Sequence, residues 1–237
     1  MSKVLIFTAT YNEKENIKKY LEKLLIQNIE FDVLIVDDNS PDGTKYIIQE
    51  YIKKFSKIKL KVREKKMGLD TAHKFAYDYA KNNSYDTLIT MDADLSHDPQ
   101  EIGLFLKEIK NFHFIIGSRY MKDGKNNMRG FRFFLSKFGN VLIRYFSGIN
   151  LSEFTTSFRA FNLNKLKNFD LKNINEKGYS FFMGTVCSIS SFGYSILEIP
   201  IIFNDRHYGK SKIPKIEIIR TVFYLLKFFI KFKLKRV

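Results

Sequence analysis

The chain has 237 residues, of which 45% are hydrophobic and 27% are charged, so it can bury a core and is not a disordered protein. Its single cysteine, Cys187, excludes an internal disulfide framework and a cysteine-based zinc site. The formal net charge is +15, and the last 32 residues carry +9 of it through ten Lys or Arg and one Glu.

The first half of the chain alternates apolar strands with amphipathic helices. Short apolar runs predict strands over residues 4–8, 33–36, 60–63, 88–91 and 114–116. Helical spacing of apolar residues predicts helices over 16–27, from Thr44 onward, and over 71–81 and 99–109. This alternation predicts an α/β fold with a mostly parallel central sheet and helices on both faces.

After Gly117 the pattern becomes less regular. Further helices are predicted over 131–146, 179–192 and 216–234, strands over 157–161 and 195–199, and a polar loop over 204–212. The sequence contains no internal repeat and no Pro- or Gly-rich linker. We therefore expect one domain over residues 1–212, followed by a basic amphipathic helix within 213–237.

Acidic residues follow two of the predicted strands. Asp92 and Asp94 come directly after the fourth strand, and Asp37-Asp38 end the second. Ligands of open α/β sheets bind beyond the carboxyl ends of the strands, so we expect these acids to share one site. A lone Asp-x-Asp also fits an ordinary polar turn, and it is the second acidic strand end that favours a site. Paired carboxylates suit Mg²⁺ or Mn²⁺, which typically holds a substrate diphosphate.

Nine short motifs occur in a fixed order along the chain. They lie at residues 10–13, 36–44, 65–69, 91–97, 117–120, 156–159, 178–181, 205–206 and 208–212. Two of them read Asp92-Ala93-Asp94-Leu95-Ser96-His97 and Tyr208-Gly209-Lys210-Ser211-Lys212. With this set the chain resembles the family 2 glycosyltransferases of GT-A fold, and within them the polyprenyl-phosphate sugar synthases, the group of dolichyl-phosphate mannose synthase.

The resemblance implies a role for each matching residue. The nucleotide would be held by Thr8, Tyr11, Asn12, Glu13, Asp37, Asp38 and Asp92. The metal would be held by Asp92 and Asp94, with Ser96 as a further oxygen ligand. The donor and acceptor phosphates would be clamped by Arg119, Arg132, Ser136, Arg206 and Lys212, and Asp94 would be catalytic together with Arg119, Arg206 and Lys212.

The resemblance also implies a reaction. A polyprenyl phosphate would attack the anomeric carbon of a nucleotide sugar, invert it and release a nucleoside diphosphate. A phosphate monoester, with a second pKa of roughly 6, is already largely ionised at neutral pH, so no general base is needed. The expected donor is GDP-mannose, with UDP-glucose as the nearest alternative.

Two further hypotheses concern the acceptor and the class of protein. A family 2 transferase acting on a glycan would need a base that the sequence does not locate. A basic nucleic-acid-binding protein would explain neither acidic strand end, so we expect no nucleic-acid partner.

Five residues depart from the family pattern. Phe182 and Gly184 stand where Gln and Glu are usual, Glu153 where Asp is usual, and Thr156 and Asp70 where Gly is usual. Loss of the Glu at 184 would remove a base from a transferase with a sugar acceptor. A phosphate acceptor tolerates that loss, and the departure leaves the identity of the sugar open.

The C-terminal segment is predicted to be amphipathic. At 100° per residue, Glu217, Tyr224, Lys227, Lys231 and Lys235 fall near Arg220, and Ile219, Val222, Phe223, Leu226, Phe229 and Ile230 lie opposite. This pattern is typical of a helix lying in an anionic membrane surface. Residues 131–145 suit either a second membrane helix or a helix docked on the core.

The sequence also suggests a location in the cell. The N-terminal apolar run is too short for a signal peptide, and no stretch approaches about 18 uncharged apolar residues. We expect a cytoplasmic protein, peripheral on the cytoplasmic membrane face, and a membrane-anchoring subunit is compatible with this arrangement.

Overall fold

The structure, a computed structural model, describes residues 2–205 together with residues 223, 224 and 230. The helix predicted over 216–234 lies outside the described residues, apart from those three positions. The same holds for the predicted domain boundary after residue 212. Arg206 and Lys212 also lie outside the described residues. The two predicted site residues beyond position 205 therefore remain predictions from sequence.

Nine strands are distributed over two sheets in the described part of the chain. They are β1 (Val4–Thr10), β2 (Asp32–Asp37), β3 (Ile58–Val62), β4 (Thr87–Thr90), β5 (Phe114–Ser118), β6 (Lys125–Asn126), β7 (Arg159–Asn162), β8 (Ile196–Pro200) and β9 (Ile202–Phe203). Seven of them form the main sheet in the order β3-β2-β1-β4-β7-β5-β8, and β6 pairs with β9 in a small parallel ribbon. Within the main sheet, β7 is antiparallel to β4 and β5 and the other pairs are parallel.

Six helices occur between residues 2 and 205. They are α1 (Lys14–Leu25), α2 (Thr44–Lys54), α3 (Leu69–Asn82), α4 (Ile102–Glu108), α5 (Phe131–Ser147) and α6 (Ser180–Ser191). The helix predicted over 99–109 begins as a 3-10 turn at Pro99–Glu101, because Asp98 caps it by accepting the Gln100 N–H at 3.1 Å. The prediction of a mostly parallel sheet with helices on its faces is confirmed.

The central strands are buried on both faces, which explains their continuous apolar sequences. Leu5 and Phe7 of β1 pack into the core formed with α3 and α6. Val4 and Ile6 point the other way, into the core formed with α1 and α4. Because successive strand residues alternate between faces, helices are needed on both sides of the sheet.

The reversed strand β7 connects the fold to the site. Arg159 pairs with Thr90 of β4 and with Ile116 of β5. Since β7 runs against both neighbours, the residues just before it lie at the edge where β4 and β5 end. A strand was predicted over 157–161, but its direction and its neighbours were not.

Arg159 anchors the segment that precedes β7 in the core. Its side chain is 1% exposed and donates to the carbonyls of Thr156 at 2.7 Å, Phe154 at 2.8 Å and Phe182 at 2.9 Å. Burial lowers the pKa of Arg159 to about 9, with a smaller opposing effect of Glu153. The guanidinium therefore links the segment before β7 to α6 through three backbone acceptors.

Candidate functional site

The candidate site lies at the carboxyl edge of β2, β1 and β4, which are neighbours in that order. Asp37 is the last residue of β2 and pairs in register with Thr10 of β1. Asp92 follows β4 by two residues. The sheet order thus brings the two acidic strand ends to one edge, with the end of β1 between them.

Asp37 and Asp38 are both paired with donors of the protein. Asp37 is fully buried and accepts from Thr10 Oγ1 at 2.8 Å and Ser40 Oγ at 2.6 Å. Asp38 forms an ion pair with Arg63 and accepts the Met67 N–H at 3.2 Å. In the described structure these carboxylates brace the loops that follow β2 and β3.

The loop after β1 is tied to the loop after β2. Asn12 has a left-handed φ of 56° and donates its N–H to Ser40 Oγ at 3.0 Å. Glu13 donates its N–H to Thr44 Oγ1 at 3.0 Å. The Lys66 ammonium lies 4.3 Å from the centre of the Tyr11 ring. Lys66 is exposed and belongs to the motif at residues 65–69, but the resemblance implies no role for it.

Thr8 lies in the core and has no exposed surface. It shares the face of β1 with Ile6, which packs toward α1, because strand residues two apart point the same way. Its side chain therefore offers no surface to a nucleotide in this structure, although the resemblance placed it among the nucleotide-binding residues.

The Asp92–Ser96 turn presents one carboxylate to solvent. The Asp92 side chain is 35% exposed, and its Oδ1 accepts from Ser157 Oγ at 2.6 Å. Asp94 is 4% exposed and accepts from Ser96 N at 3.1 Å and Ser96 Oγ at 2.6 Å. Leu95, at a φ of 63°, makes this tight turn. Ser96, predicted as an oxygen ligand, is fully buried and holds Asp94 in place.

The donor set fits a divalent cation that arrives with its substrate. The described residues contain no cluster of three or more His, Cys, Asp or Glu able to enclose a metal ion. Asp92 and Asp94 supply hard carboxylate oxygens. Mg²⁺ is commonly held by one or two carboxylates together with substrate phosphates and waters, and this pair suits that mode.

Arg119 is locked in a buried ion pair. Its Nε donates to Glu153 Oε2 at 2.7 Å, and the two side chains are 7% and 0% exposed. Burial opposes the ionisation of Glu153, but Arg119 and the Thr155 donors outweigh it and hold the pKa of Glu153 below its ordinary value. Predicted as a phosphate clamp, Arg119 here neutralises Glu153. The sequence signalled Glu153 only through its departure from the family pattern.

Ser136 and Arg132 occupy the first turns of α5. Ser136 accepts from the Tyr120 hydroxyl at 2.8 Å, which ties α5 to the residue after Arg119. Asn140 accepts the Phe154 N–H at 2.7 Å. Arg132 is exposed. Both predicted acceptor-phosphate residues therefore lie on a helix anchored beside the Arg119–Glu153 pair.

The first residue of the predicted polar loop, Asn204, contacts the Asp92–Ser96 turn. Asn204 donates its N–H to the Ser96 carbonyl at 2.9 Å, and its Oδ1 accepts from Asn127 at 3.0 Å. Arg206 follows two positions later in the sequence and lies outside the described residues, as does Lys212.

Comparison with known proteins gives one family. Residues 5–169 match Glycosyl transferase family 2. The chain is 31% identical over 237 residues to a polyprenol monophosphomannose synthase of Mycolicibacterium smegmatis, covering 99% of this chain and 89% of that protein. It is 34% identical over 211 residues to an undecaprenyl-phosphate mannosyltransferase of Micrococcus luteus, covering 89% and 87%.

Solved structures show the same fold at lower identity. The mannosyltransferase PcManGT from Pyrobaculum calidifontis, in complex with GDP-Man and Mn²⁺, has a TM-score of 0.59 and 17% identity over 94% of this chain and 69% of that one. Glucosyl-3-phosphoglycerate synthase from Mycobacterium tuberculosis has a TM-score of 0.69 and 12% identity over 96% and 80%. The fold is therefore that of the GT-A glycosyltransferases.

We predict that Glu153→Gln destabilises the protein by about 3–5 kcal/mol, because it leaves the buried Arg119 charge without a partner. Urea denaturation followed by circular dichroism measures this free energy of unfolding. The matched control is Glu50→Gln, which removes an exposed ion pair with Lys53 and should change stability by less than about 1 kcal/mol. Equal stability of the two variants would contradict the structural role of Glu153.

Proposed function

The chain belongs to glycosyl transferase family 2, and from that premise we propose that it transfers mannose from GDP-mannose to a polyprenyl phosphate with inversion. The observation that carries the proposal is the near full-length similarity to two proteins named for mannosyl transfer to such lipids. The partly exposed Asp92 carboxylate at the sheet edge supports a site for a cation that accompanies an anionic donor.

The donor nucleotide would lie between the loops after β1 and β2. The hydrogen bonds from Asn12 to Ser40 and from Glu13 to Thr44 join these loops into one rigid wall. Tyr11 and Lys66 together provide an aromatic ring and a cation there. A preformed wall of this kind binds a nucleotide without the cost of ordering loops on binding.

Asp92 and Asp94 would hold the cation that accompanies the diphosphate. Such a cation neutralises the charge that develops on the leaving diphosphate. The chain contributes by fixing both carboxylates: Ser157 orients Asp92 and Ser96 orients Asp94. Preorganised groups do not have to reorient during the reaction, which is a main source of electrostatic catalysis.

The lipid phosphate acceptor has to be positioned, and cationic residues have to hold its negative charge. An ionised lipid phosphate attacks without a general base, so the protein has only to align two anions in line with the anomeric carbon. Arg132 lies exposed at the start of α5, and Ser136 lies one turn further on. Arg206 and Lys212, on the sequence that follows Asn204, are proposed to complete this clamp.

The outer face of α5 is the surface that we propose to meet the membrane. Its most exposed apolar residues are Phe131 at 77%, Phe134 at 68%, Phe138 at 61%, Val141 at 56% and Tyr145 at 78%. Lys137 and Arg144 lie beside this face and Arg132 is exposed in the first turn, and only Asn140 and Ile143 of the helix are buried. Apolar area with flanking basic charge suits an anionic lipid surface on the cytoplasmic side.

Among the residues that the structure describes, no helix combines the length and the apolar content required to cross a membrane. The peripheral proposal rests on α5, and on the amphipathic pattern predicted within 213–237.

A second candidate reaction is transfer to a glycan hydroxyl, because a carboxylate does lie beside Gly184. A Cβ at Gly184 would stand 2.6 Å from Glu176 Oε2. The loop before α6 thus brings a carboxyl group to the place where the family usually carries Glu. A hydroxyl acceptor needs a base to take its proton, whereas an ionised phosphate does not.

We predict that Asp92→Asn and Asp94→Asn each lower transfer to a short polyprenyl phosphate by at least about 100-fold, the scale of losing a charge-stabilising group. Titration calorimetry with GDP should show that Mn²⁺ no longer strengthens nucleotide binding. The matched control is Asp98→Asn, which keeps the cap of the 3-10 turn and should behave as wild type. Unchanged metal-dependent binding in both site variants would refute the metal assignment, and UDP-glucose in the same titration tests the alternative donor.

We predict that Glu176→Gln changes transfer to the polyprenyl phosphate little, because a phosphate acceptor arrives ionised. A loss of about 10²–10⁴-fold, the usual worth of a general base, would instead favour the hydroxyl acceptor. Initial rates with a polyprenyl phosphate and with a mannoside acceptor, measured side by side, separate the two reactions.

We predict that Phe134→Ser combined with Phe138→Ser weakens sedimentation with anionic liposomes at every salt concentration. Arg132→Gln combined with Lys137→Gln should weaken it mainly at low salt, since each basic residue contributes about 1 kcal/mol near an anionic surface. Tyr46→Ser, which removes a 62% exposed aromatic from α2, is the control. If both double variants sediment like wild type, α5 does not contact the membrane.

A further inference from the structure

The partly exposed Asp92 carboxylate accepts a hydrogen bond from one hydroxyl, that of Ser157. Ser157 Oγ donates to Asp92 Oδ1 at 2.6 Å, and the Ser157 carbonyl accepts from Thr90 Oγ1 at 2.5 Å. No hydrogen bond from the described residues reaches the other oxygen, Oδ2, which lies 3.9 Å from His97 Nδ1. Ser157 therefore holds one oxygen of the partly exposed carboxylate, and the second oxygen accepts no hydrogen bond from the described residues.

The backbone of Asp92 is held by a buried imidazole. The Asp92 N–H donates to His97 Nδ1 at 3.1 Å, so Nδ1 is the acceptor and Nε2 carries the ring proton. The ring is 1% exposed and packs against Phe158 and Phe203, with ring centres 5.1 Å and 5.4 Å away. His97 thus acts as a fixed, neutral acceptor under Asp92.

Thr156 supplies the second partner of that imidazole. The His97 Nε2–H points to Thr156 Oγ1 at 3.3 Å, and the same oxygen accepts the Phe158 N–H at 3.2 Å. The resembling family usually carries Gly at this place, which has no side-chain oxygen to offer. The Asp92 N–H selects the tautomer, and Thr156 supplies the acceptor that its buried Nε2–H needs, because a buried N–H without an acceptor is unfavourable.

We propose that Thr156 and Ser157 are positioning residues for the divalent cation: Ser157 orients the Asp92 carboxylate directly, and Thr156 fixes its backbone through His97. The inference rests on the proposed function, because it takes Asp92 to be a ligand of the cation that accompanies the donor diphosphate. Hydrogen-bonded partners of metal ligands commonly govern both metal affinity and activity.

The test measures Mn²⁺ affinity of the full chain in the presence of GDP, by the electron paramagnetic resonance signal of free Mn²⁺. Ser157→Ala and Thr156→Val should each raise the Mn²⁺ dissociation constant by about 10-fold or more. Their kcat should fall while the KM for a short polyprenyl phosphate stays constant. Ser157→Thr and Thr156→Ser keep the hydroxyls and should stay within about 3-fold of wild type.

Thr185→Val is the control, because it removes a buried hydroxyl that does not contact Asp92 or His97. Its Oγ1 donates to the Phe181 carbonyl within α6 at 2.8 Å, and loss of this contact should not change Mn²⁺ affinity. The readout compares the variants that keep a hydroxyl, Ser157→Thr and Thr156→Ser, with those that lack it. If Mn²⁺ affinity falls equally in both sets, the cause is a general packing defect and the proposal is overturned. Wild-type affinity in Ser157→Ala and Thr156→Val would also overturn it.

The outcome for the wild-type protein separates this inference from the proposed function. If wild type binds Mn²⁺ with GDP and transfers sugar, while all variants match it, only the positioning role fails. If wild type binds no Mn²⁺ with any nucleotide, the metal assignment and the positioning role fail together.

Discussion

Strand β7 runs against β4 and β5, and the residues that precede it therefore lie at the edge where those strands end. The charged and hydroxyl contacts of this part of the site depend on that reversal. It brings Glu153 to Arg119 and Ser157 to Asp92. Arg159 then holds the segment by three backbone carbonyls, so the approach to β7 is fixed before any ligand binds. A parallel strand in the same place would deliver these residues to the opposite edge.

The residues that depart from the family pattern have contacts of their own in this chain. Glu153 receives Arg119, and Thr156 receives the His97 ring. Asp70 accepts the Gly178 N–H at 3.1 Å and so secures the loop before α6. Gly184 leaves the space that the Glu176 side chain fills. These four departures are thus each matched by a contact with another residue of the chain.

The acids at the sheet edge divide into two groups by exposure. Asp37 and Asp38 are buried and are satisfied by protein donors, so they shape loops. Asp92 is partly exposed, and one of its oxygens has no protein donor among the described residues. A half-paired carboxylate in a fixed orientation has an oxygen left with which to bind a cation. Asp94, at 4% exposed and held by Ser96, resembles Asp37 and Asp38 in burial, so exposure distinguishes Asp92 alone among these four acids.

The sequence by itself determined the α/β class, most of the helices and strands within residues 2–205, and the acidic ends of β2 and β4, because hydrophobic period and strand-end chemistry are local properties of the chain. Only the tertiary structure decided the direction of β7, the β6–β9 ribbon, the burial of Thr8 and the pairing of Arg119 with Glu153. The two residues of that pair are 34 positions apart. Such contacts depend on which strands become neighbours and in which direction they run, and no local pattern in the chain specifies either.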